Sequence, residues 1–205
     1  KPIRKMKDRR EYIIAKAMEL YCMQGFNNTS ITDLQNALDM GRGTLYYYFK
    51  DQDELFQTCM ERYFLQPKQE ALQLPANLTM NEMIEAMEKY LDGLEAALLT
   101  FENKQVNTSN VNHLMFTAYS RFPSMRRKAQ RLALKELDLW RKAINYEQRM
   151  GIVRRDIDAE LTAIMFAHIK NSYDSGLTGA KMDFELLKNT YKGLYKLIKI
   201  EKNAE

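Results

Sequence analysis

The chain has 205 residues, with 31 lysines and arginines against 27 acids, a formal net charge of +4, and only four prolines and eight glycines. A chain of this length buries a sizeable core and forms one domain or two. No apolar run approaches the roughly 20 residues of a membrane span, no signal-peptide hydrophobic region follows the basic N-terminus, and the two cysteines match no metal or redox spacing, so we expect a reduced, cytoplasmic protein.

Helical spacing of apolar residues dominates the chain, and no window alternates apolar and polar residues convincingly enough to predict a strand. The pattern therefore predicts an all-α protein of about nine helices. The first covers residues 7–24 and stops at Gly25, a helix-ending residue. Ser30 is predicted as the N-cap of the second helix, which ends at Leu38. A short turn then leads into the third segment, residues 43–50.

Two capping boxes organise the next part of the chain. Asp51 with Glu54 opens a predicted fourth helix over 52–72, which Pro67 kinks. Thr79 with Glu82 opens a fifth helix after a break at residues 75–78. The polar run 103–112 is predicted as a loop. We expect the remaining helices over 111–119, over 123–150, after Asp156 or Asp158 up to residue 176, and over 182–202.

The third segment reads GTLYYYFK over residues 43–50. At about 100° per residue, Leu45 and Phe49 share one face and anchor the segment in a core. Small and hydroxyl-bearing residues occupy the other positions: Gly43, Thr44, Tyr46, Tyr47 and Tyr48. Phosphates and base edges offer acceptors and methyl groups to such side chains, whereas a free protein gains little by exposing them. The pattern predicts a helix-turn-helix whose second helix lies against DNA.

The location of the net charge supports this interpretation. Residues 1–50 hold nine basic and five acidic side chains, so the whole excess of +4 falls on the predicted helix-turn-helix. Arg42 and Lys50 flank the outward face as phosphate contacts, and Thr29 and Ser30 are helix caps that are also able to contact a phosphate. The predicted DNA-binding residues are Thr29, Ser30, Arg42, Gly43, Thr44, Tyr46, Tyr47, Tyr48 and Lys50.

Thr29-Ser30-Ile31, followed by residues 43–50, resembles the DNA-binding signature of the TetR (tetracycline-repressor) family of bacterial transcription regulators. The match covers roughly the first 55 residues. It implies a helix-turn-helix DNA-binding domain over 1–51, a helical effector-binding and dimerisation domain over 52–205, and a bacterial protein associated with the nucleoid. Asp39 and Gly41 depart from the turn Gly and Ser usual in the family, and Gln52 stands where a Lys is common.

The resemblance implies a ligand-responsive transcriptional regulator, a repressor that binds a near-palindromic operator as a homodimer and is released by a small-molecule effector. No nucleophilic triad, phosphate-binding loop or carboxylate pair is present, and neither His113 nor His168 has metal-ligand partners, so we expect no enzyme activity, cofactor or metal. The alternative is an all-α small-molecule-binding protein or enzyme whose helix-turn-helix is vestigial. A salt-dependent DNA-binding assay separates the two.

Two further sets of residues are predicted in the C-terminal part. A partly apolar effector is expected to contact adaptable apolar side chains, with ordinary core packing as the alternative: Met83, Met87, Phe101, Met115, Phe116, Tyr119, Trp140 and Met165. The resemblance implies dimerisation through the last two helices. The alternatives for the apolar stripe of the last helix are packing inside the subunit and the apolar covering of a helix that is exposed to solvent on one side. The predicted interface consists of Ala163, Phe166, Ala167, Leu187, Tyr191, Leu194 and Ile198.

Overall fold

A computed structural model describes residues 2–102, 106, 108–173 and 182–200 of the chain. The described residues form ten α-helical segments: α1 Pro2–Gln24, α2 Ile31–Leu38, α3 Arg42–Tyr48, α4 Gln52–Met60, α5 Gln66–Ala71, α6 Met80–Leu99, α7 Thr108–Arg121, α8 Pro123–Arg149, α9 Ala159–Tyr173 and α10 Phe184–Ile198. A short 3-10 turn, Phe26–Asn28, lies between α1 and α2. The prediction of an all-α fold is confirmed.

Helices α4 and α5 are two parts of one continuous helix. A π-helical turn, Glu61–Leu65, joins them without a break, so residues 52–71 form the single fourth helix that the sequence predicts, and the described part of the chain has nine helices. Pro67 lies directly after the π-helical turn. Because proline has no N–H to donate, it disturbs the regular hydrogen-bond ladder where the π-helical turn occurs.

Three predicted boundaries are wrong. Helix α1 begins at Pro2, earlier than residue 7, and α10 spans Phe184–Ile198 and ends before residue 202. Helix α7 begins at Thr108, inside the polar run predicted as a loop. Val111, Leu114 and Ala118 are buried on one side of α7. Their burial favours the helix over the weak helix propensity of the surrounding Asn, Ser and Thr residues.

The capping residues start their helices largely as predicted. Ser30 and Asp33 form a reciprocal capping box at α2, and Thr79 and Glu82 exchange backbone-to-side-chain hydrogen bonds at α6. The Asp51 carboxylate accepts from the Glu54 N–H at 2.8 Å. Asp158, rather than Asp156, accepts the N–H groups of residues 160 and 161 at α9.

The second hydrogen bond of the predicted Asp51–Glu54 capping box forms with Lys50 instead of with Asp51. The Glu54 carboxylate accepts from the Lys50 N–H at 2.6 Å instead of from the N-cap N–H, so the predicted box is only half formed.

The chain forms two compact units, which we call the N-terminal unit and the C-terminal unit. The N-terminal unit contains residues 2–66 and the described residues of 96–127. Helices α1, α4 and α7 pack together in it, and α2 packs on α1. Its buried aromatic cluster consists of Tyr21, Phe26, Phe56 and Phe122, with ring centroids 4.3–6.3 Å apart. The functional division predicted after residue 51 stays a prediction.

The C-terminal unit contains residues 67–95, 128–173 and 182–200. Its core includes three stacked rings from three helices: Trp140 of α8, Phe166 of α9 and Tyr191 of α10. The buried carboxylate of Glu147 accepts hydrogen bonds from the Met80 N–H at 2.9 Å and the Tyr195 hydroxyl at 2.8 Å. In the part of the chain that the structure describes, no helix combines the length and apolar character needed to cross a bilayer.

Candidate nucleic-acid interface

The turn between α2 and α3 is built from two residues with opposite backbone requirements. Asp39 ends α2 in the left-handed region, at φ 50° and ψ 49°. Gly41 follows as the extended N-cap of α3, at φ −67° and ψ 153°. Only three residues, 39–41, therefore separate the end of α2 from the start of α3.

Helix α3 is anchored by the two residues that the sequence predicts. Leu45 and Phe49 are each 2% exposed. The guanidinium of Arg10, from α1, lies 4.8 Å above the centre of the Phe49 ring, in the geometry of a cation–π contact. The anchor therefore fixes α3 against the first helix and leaves its other side exposed.

The outward side of α3 consists of hydroxyl-bearing rings. Tyr47 is 67% exposed and Tyr46 is 40% exposed, and the Tyr47 ring meets the Tyr48 ring edge-on at a centroid distance of 5.1 Å. The Arg42 guanidinium lies 5.5 Å from the centre of the Tyr46 ring. Nothing lies within 4 Å of the position that a Cβ at Gly43 would occupy. A partner is thus able to approach the backbone closely at this glycine.

Thr29 and Ser30 play different parts, although both were predicted to contact DNA. Ser30 is exposed and caps α2, and its hydrogen bonds, first from the side chain and then from the backbone, lower the pKa of Asp33. Thr29 is only 4% exposed, and its hydroxyl donates to the Gly25 carbonyl at 2.8 Å. We therefore correct the assignment of Thr29, because its hydroxyl is buried and already paired.

Gln52 has a structural role that the sequence did not indicate. Its side-chain amide donates to the carbonyl oxygens of Thr29 and Phe26. These bonds tie the start of α4 to the loop that precedes α2. In the sequence, Gln52 stands out only as a departure from the lysine common in the family, because its partners lie 23 and 26 residues away in the chain.

The predicted effector residues divide between the two units. Four are buried: Met83, Met87, Phe101 and Trp140. Met115 and Tyr119 are half-buried, whereas Phe116 is 73% and Met165 is 56% exposed. Phe116 and Met165 therefore do not line an interior site, and we correct these two assignments. The spacing of apolar residues gave no means of telling the outer positions of α7 and α9 from the inner ones.

The predicted dimer residues lie mostly inside the C-terminal unit. Five of the seven are buried: Ala163, Phe166, Leu187, Tyr191 and Ile198. Ala167 and Leu194 are half-buried. Side chains buried within the subunit have no surface to offer a second copy of the chain, so the five assignments are wrong and the alternative, packing within the subunit, holds for them. The periodic stripe identified the inner face of each helix.

A second apolar stripe lies on the outer face of α9. Leu161, Ile164, Met165 and His168 are exposed and follow the spacing i, i+3, i+4, i+7, so they share one side of the helix. On α10, Leu186 and Leu197 are also exposed. Three apolar residues recur at helical spacing in 161–165, but the interface on this helix was predicted at Ala163, Phe166 and Ala167 instead.

The two cysteines are buried in the N-terminal unit. Burial raises the pKa of Cys22 to about 12 and also raises the pKa of Cys59. The Sγ atom of Cys59 lies 3.5 Å from the Ile14 carbonyl, to which it donates. Both thiols stay protonated at neutral pH, so they pack as small apolar side chains.

Comparison with known proteins agrees with these features. Residues 13–59 match the sequence profile of the bacterial regulatory proteins of the tetR family. The HTH-type transcriptional regulator AcrR of Shigella flexneri is 35% identical over 52 residues, which are 25% of this chain and 24% of that protein. The match to this relative thus spans about a quarter of its length, and the profile match over residues 13–59 includes α2 and α3.

The fold likeness extends much further than the sequence match. A TetR-family transcriptional regulator from Cytophaga hutchinsonii has a TM-score of 0.64 at 17% identity, over 97% of this chain and 98% of that one. A transcriptional regulator from Saccharomonospora viridis, solved in complex with choline, has a TM-score of 0.63 at 16% identity, over 96% and 100% of the two chains. Residues 13–59 therefore match the tetR family, as the motifs predicted, and the chain has a fold similar to those of the two solved regulators.

Proposed function

We propose that the chain is a ligand-responsive transcriptional regulator, a repressor that binds a near-palindromic DNA operator as a homodimer and releases it when a small molecule binds. The observation that carries this proposal is the outer face of α3. Tyr46 and Tyr47 are exposed on a helix anchored by buried Leu45 and Phe49. Exposed rings with hydroxyl groups contribute little to folding, but they suit base edges, thymine methyl groups and phosphates.

The charges near α3 support the same conclusion. Arg42 and Lys50 are exposed at the two ends of the helix, where cationic side chains are able to neutralise phosphates on either side of a groove. Ser30 is exposed at the start of α2 and is placed to contact a further phosphate. The tyrosines supply base contacts, and the flanking groups hold the helix in register.

DNA binding is tested by selecting genomic fragments with the purified protein and measuring the affinity of the best fragment at several salt concentrations. We expect affinity to fall steeply as salt rises, and to exceed the affinity for unrelated DNA by about 10³-fold or more. Equal affinity for all sequences, or no affinity, would favour the alternative of a small-molecule-binding protein or enzyme with a vestigial helix-turn-helix.

The dimer is proposed to form through the outer faces of α9 and α10. Leu161, Ile164 and Met165 on α9 and Leu186 and Leu197 on α10 are large apolar side chains that water contacts in the single chain. Two copies related by a two-fold axis would bury such a surface against itself. A dimer places two α3 helices on half-sites about 34–36 Å apart.

The dimer is tested with Leu197→Glu. Leu197 is 73% exposed, so the glutamate is tolerated in the monomer but places like charges together at the proposed axis. We expect light scattering to show a dimer for the unmodified protein and a monomer for the variant. Leu134→Glu is the matched control, because Leu134 is 68% exposed on α8 and lies outside the stripe. An unmodified protein that is monomeric, or two variants that behave alike, contradicts the interface.

The effector is proposed to bind within the C-terminal unit. The Saccharomonospora viridis relative was solved with choline, and this chain has the same fold with a buried, aromatic-rich bundle. Effector binding would shift the population towards a form with low affinity for DNA. The helix of residues 52–71 would carry the change, since it begins in one unit and ends in the other.

A further inference from the structure

Apart from Glu88 Oε1, which lies 2.7 Å from Lys192 Nζ, two buried polar atoms of the C-terminal unit have no hydrogen-bond partner among the described residues. They are the indole Nε1 of Trp140 and the hydroxyl oxygen of Tyr191. The two side chains come from α8 and α10, and their rings stack with centroids 5.6 Å apart and planes 10° from parallel. Buried polar groups are paired in the great majority of cases, so two orphans in one stack point to a partner outside the chain.

The chemistry of the two atoms restricts that partner. An indole N–H donates only and never accepts. Burial, and then the charge of Glu136, raise the pKa of Tyr191 well above its ordinary value, so its hydroxyl keeps the proton. Both groups are therefore donors at neutral pH. The partner has to present an acceptor, such as a carbonyl or ether oxygen.

The surroundings restrict the charge of the partner. The Phe166 ring stacks on Trp140 with centroids 4.7 Å apart, so the neighbouring surface is apolar and aromatic. Glu136, one helical turn before Trp140, is buried, and Lys68 Nζ lies 2.5 Å from its carboxylate. Since this carboxylate and Lys68 neutralise each other, the pair offers a free counter-charge neither to a cation nor to an anion, and a charged partner would be buried without compensation.

We propose that Trp140 and Tyr191 are the hydrogen-bonding residues of the effector site, and that the effector is a neutral, largely apolar molecule with a carbonyl-type oxygen. This inference rests on the proposed function, because it names the ligand class of the regulator's effector site. Trp140 is the only tryptophan of the chain, so its fluorescence reports directly on this site.

Four one-ring probes of nearly equal size test the ligand class by calorimetry on the purified full chain. Acetophenone has the neutral acceptor, isopropylbenzene has the same shape without it, benzoate is anionic and trimethylphenylammonium is cationic. We expect acetophenone to bind about tenfold or more tightly than each of the other three, the ratio that one satisfied hydrogen bond supplies. No binding of acetophenone, or equal binding of acetophenone and isopropylbenzene, overturns the proposal.

Matched variants test whether Trp140 and Tyr191 cause the preference for acetophenone. Tyr191→Phe keeps the ring, Trp140→Phe keeps a smaller aromatic ring, and both remove the donor. The preference for acetophenone over isopropylbenzene should therefore fall to within about twofold when both are changed. Tyr195→Phe should keep the preference, because the Tyr195 hydroxyl is already paired with Glu147. A preference that survives in the double variant overturns the assignment of the two residues.

DNA binding is measured separately on the same preparations without probe. Intact operator binding with no acetophenone binding refutes only the ligand class. Absence of sequence-specific DNA binding by the unmodified protein refutes the proposed function, whatever the calorimetry shows.

Discussion

Helices α3 and α10 use the same residue type in opposite ways. Tyr46 and Tyr47 on α3 are exposed, whereas Tyr191 and Tyr195 on α10 are 0% and 6% exposed. A tyrosine ring in water contributes little to folding, but a buried ring contributes through its area and its hydroxyl then needs a partner. Substitutions on α3 should therefore change recognition without changing stability, and substitutions in the core of α10 should do the reverse.

The largest loss of stability is expected from a change in the core of the C-terminal unit, Glu147→Ala. The carboxylate of Glu147 is buried and accepts from both the Met80 N–H and the Tyr195 hydroxyl. Removing it leaves two buried donors unpaired and opens a cavity. We expect the free energy of unfolding, measured by chemical denaturation, to fall by about 3–5 kcal/mol.

Glu160→Ala is the control for this variant. Glu160 is an exposed carboxylate that pairs with Arg141 at 3.3 Å on the surface of the same unit. Exposed ion pairs contribute about 0–1 kcal/mol, so the loss should be several times smaller than for Glu147→Ala. Similar losses in the two variants would show that the buried hydrogen bonds of Glu147 are not what stabilises this unit.

The recognition side is tested by Tyr47→Ala. Tyr47 is the most exposed large apolar residue of α3. Its removal should weaken operator binding by about 1–3 kcal/mol if its ring or hydroxyl touches a base, and change the free energy of unfolding by less than about 0.5 kcal/mol. Gel-shift titration with the selected operator measures the first quantity and thermal unfolding the second.

Phe116→Ala shows whether any exposed aromatic ring would give the same result. Phe116 is 73% exposed on α7, in the same unit. Its removal should leave operator affinity unchanged. If Tyr47→Ala also binds the operator normally while remaining helical, α3 does not lie in the groove as we propose.

The two tyrosines of α10 differ in one respect that a conservative change isolates. The Tyr195 hydroxyl donates to Glu147 at 2.8 Å, whereas the Tyr191 hydroxyl has no partner among the described residues. Without ligand, Tyr195→Phe should lower the free energy of unfolding by about 1–3 kcal/mol, and Tyr191→Phe should leave it within about 0.5 kcal/mol or raise it. An equal loss in both would mean that the Tyr191 hydroxyl is satisfied in solution.

Features that depend on residues close together in the chain were predictable from the sequence. The helices, the Ser30 cap and the Leu45–Phe49 anchor depend on residues within about one or two turns of each other. Pairings between distant segments were not predictable from one sequence. Examples are the Gln52 bonds to the loop before α2 and the buried Glu147 pair, whose partners lie 67 and 48 residues away.

The five buried dimer residues were wrongly assigned for the same reason, because the segments that cover them are distant in the chain. An apolar stripe shows that one helix face avoids water, but it does not say whether the subunit or a second copy covers it. Tyr191 and Leu187 belong to the stripe that the subunit itself covers. Leu161 and Leu197 remain exposed in the single chain, and only a structure separates the two cases.

The smallest expected effect concerns Asp39, the aspartate that stands where the resemblance leads one to expect a turn glycine. Asp39 has a φ of 50°, and it is the only residue other than glycine with a positive φ in the described part of the chain. A side chain in this region costs roughly 1 kcal/mol, which the greater freedom of glycine in the unfolded chain partly offsets.

Asp39→Gly should therefore raise the free energy of unfolding by about 0.5 kcal/mol. Asp39→Ala should lower it by a similar amount, since alanine keeps the Cβ but loses the polar side chain that tolerates this conformation. Thermal unfolding of the two variants side by side measures the difference. If alanine and glycine are equivalent at this position, the left-handed turn before α3 is wrong, and the direction in which α3 leaves the turn has to be reconsidered with it.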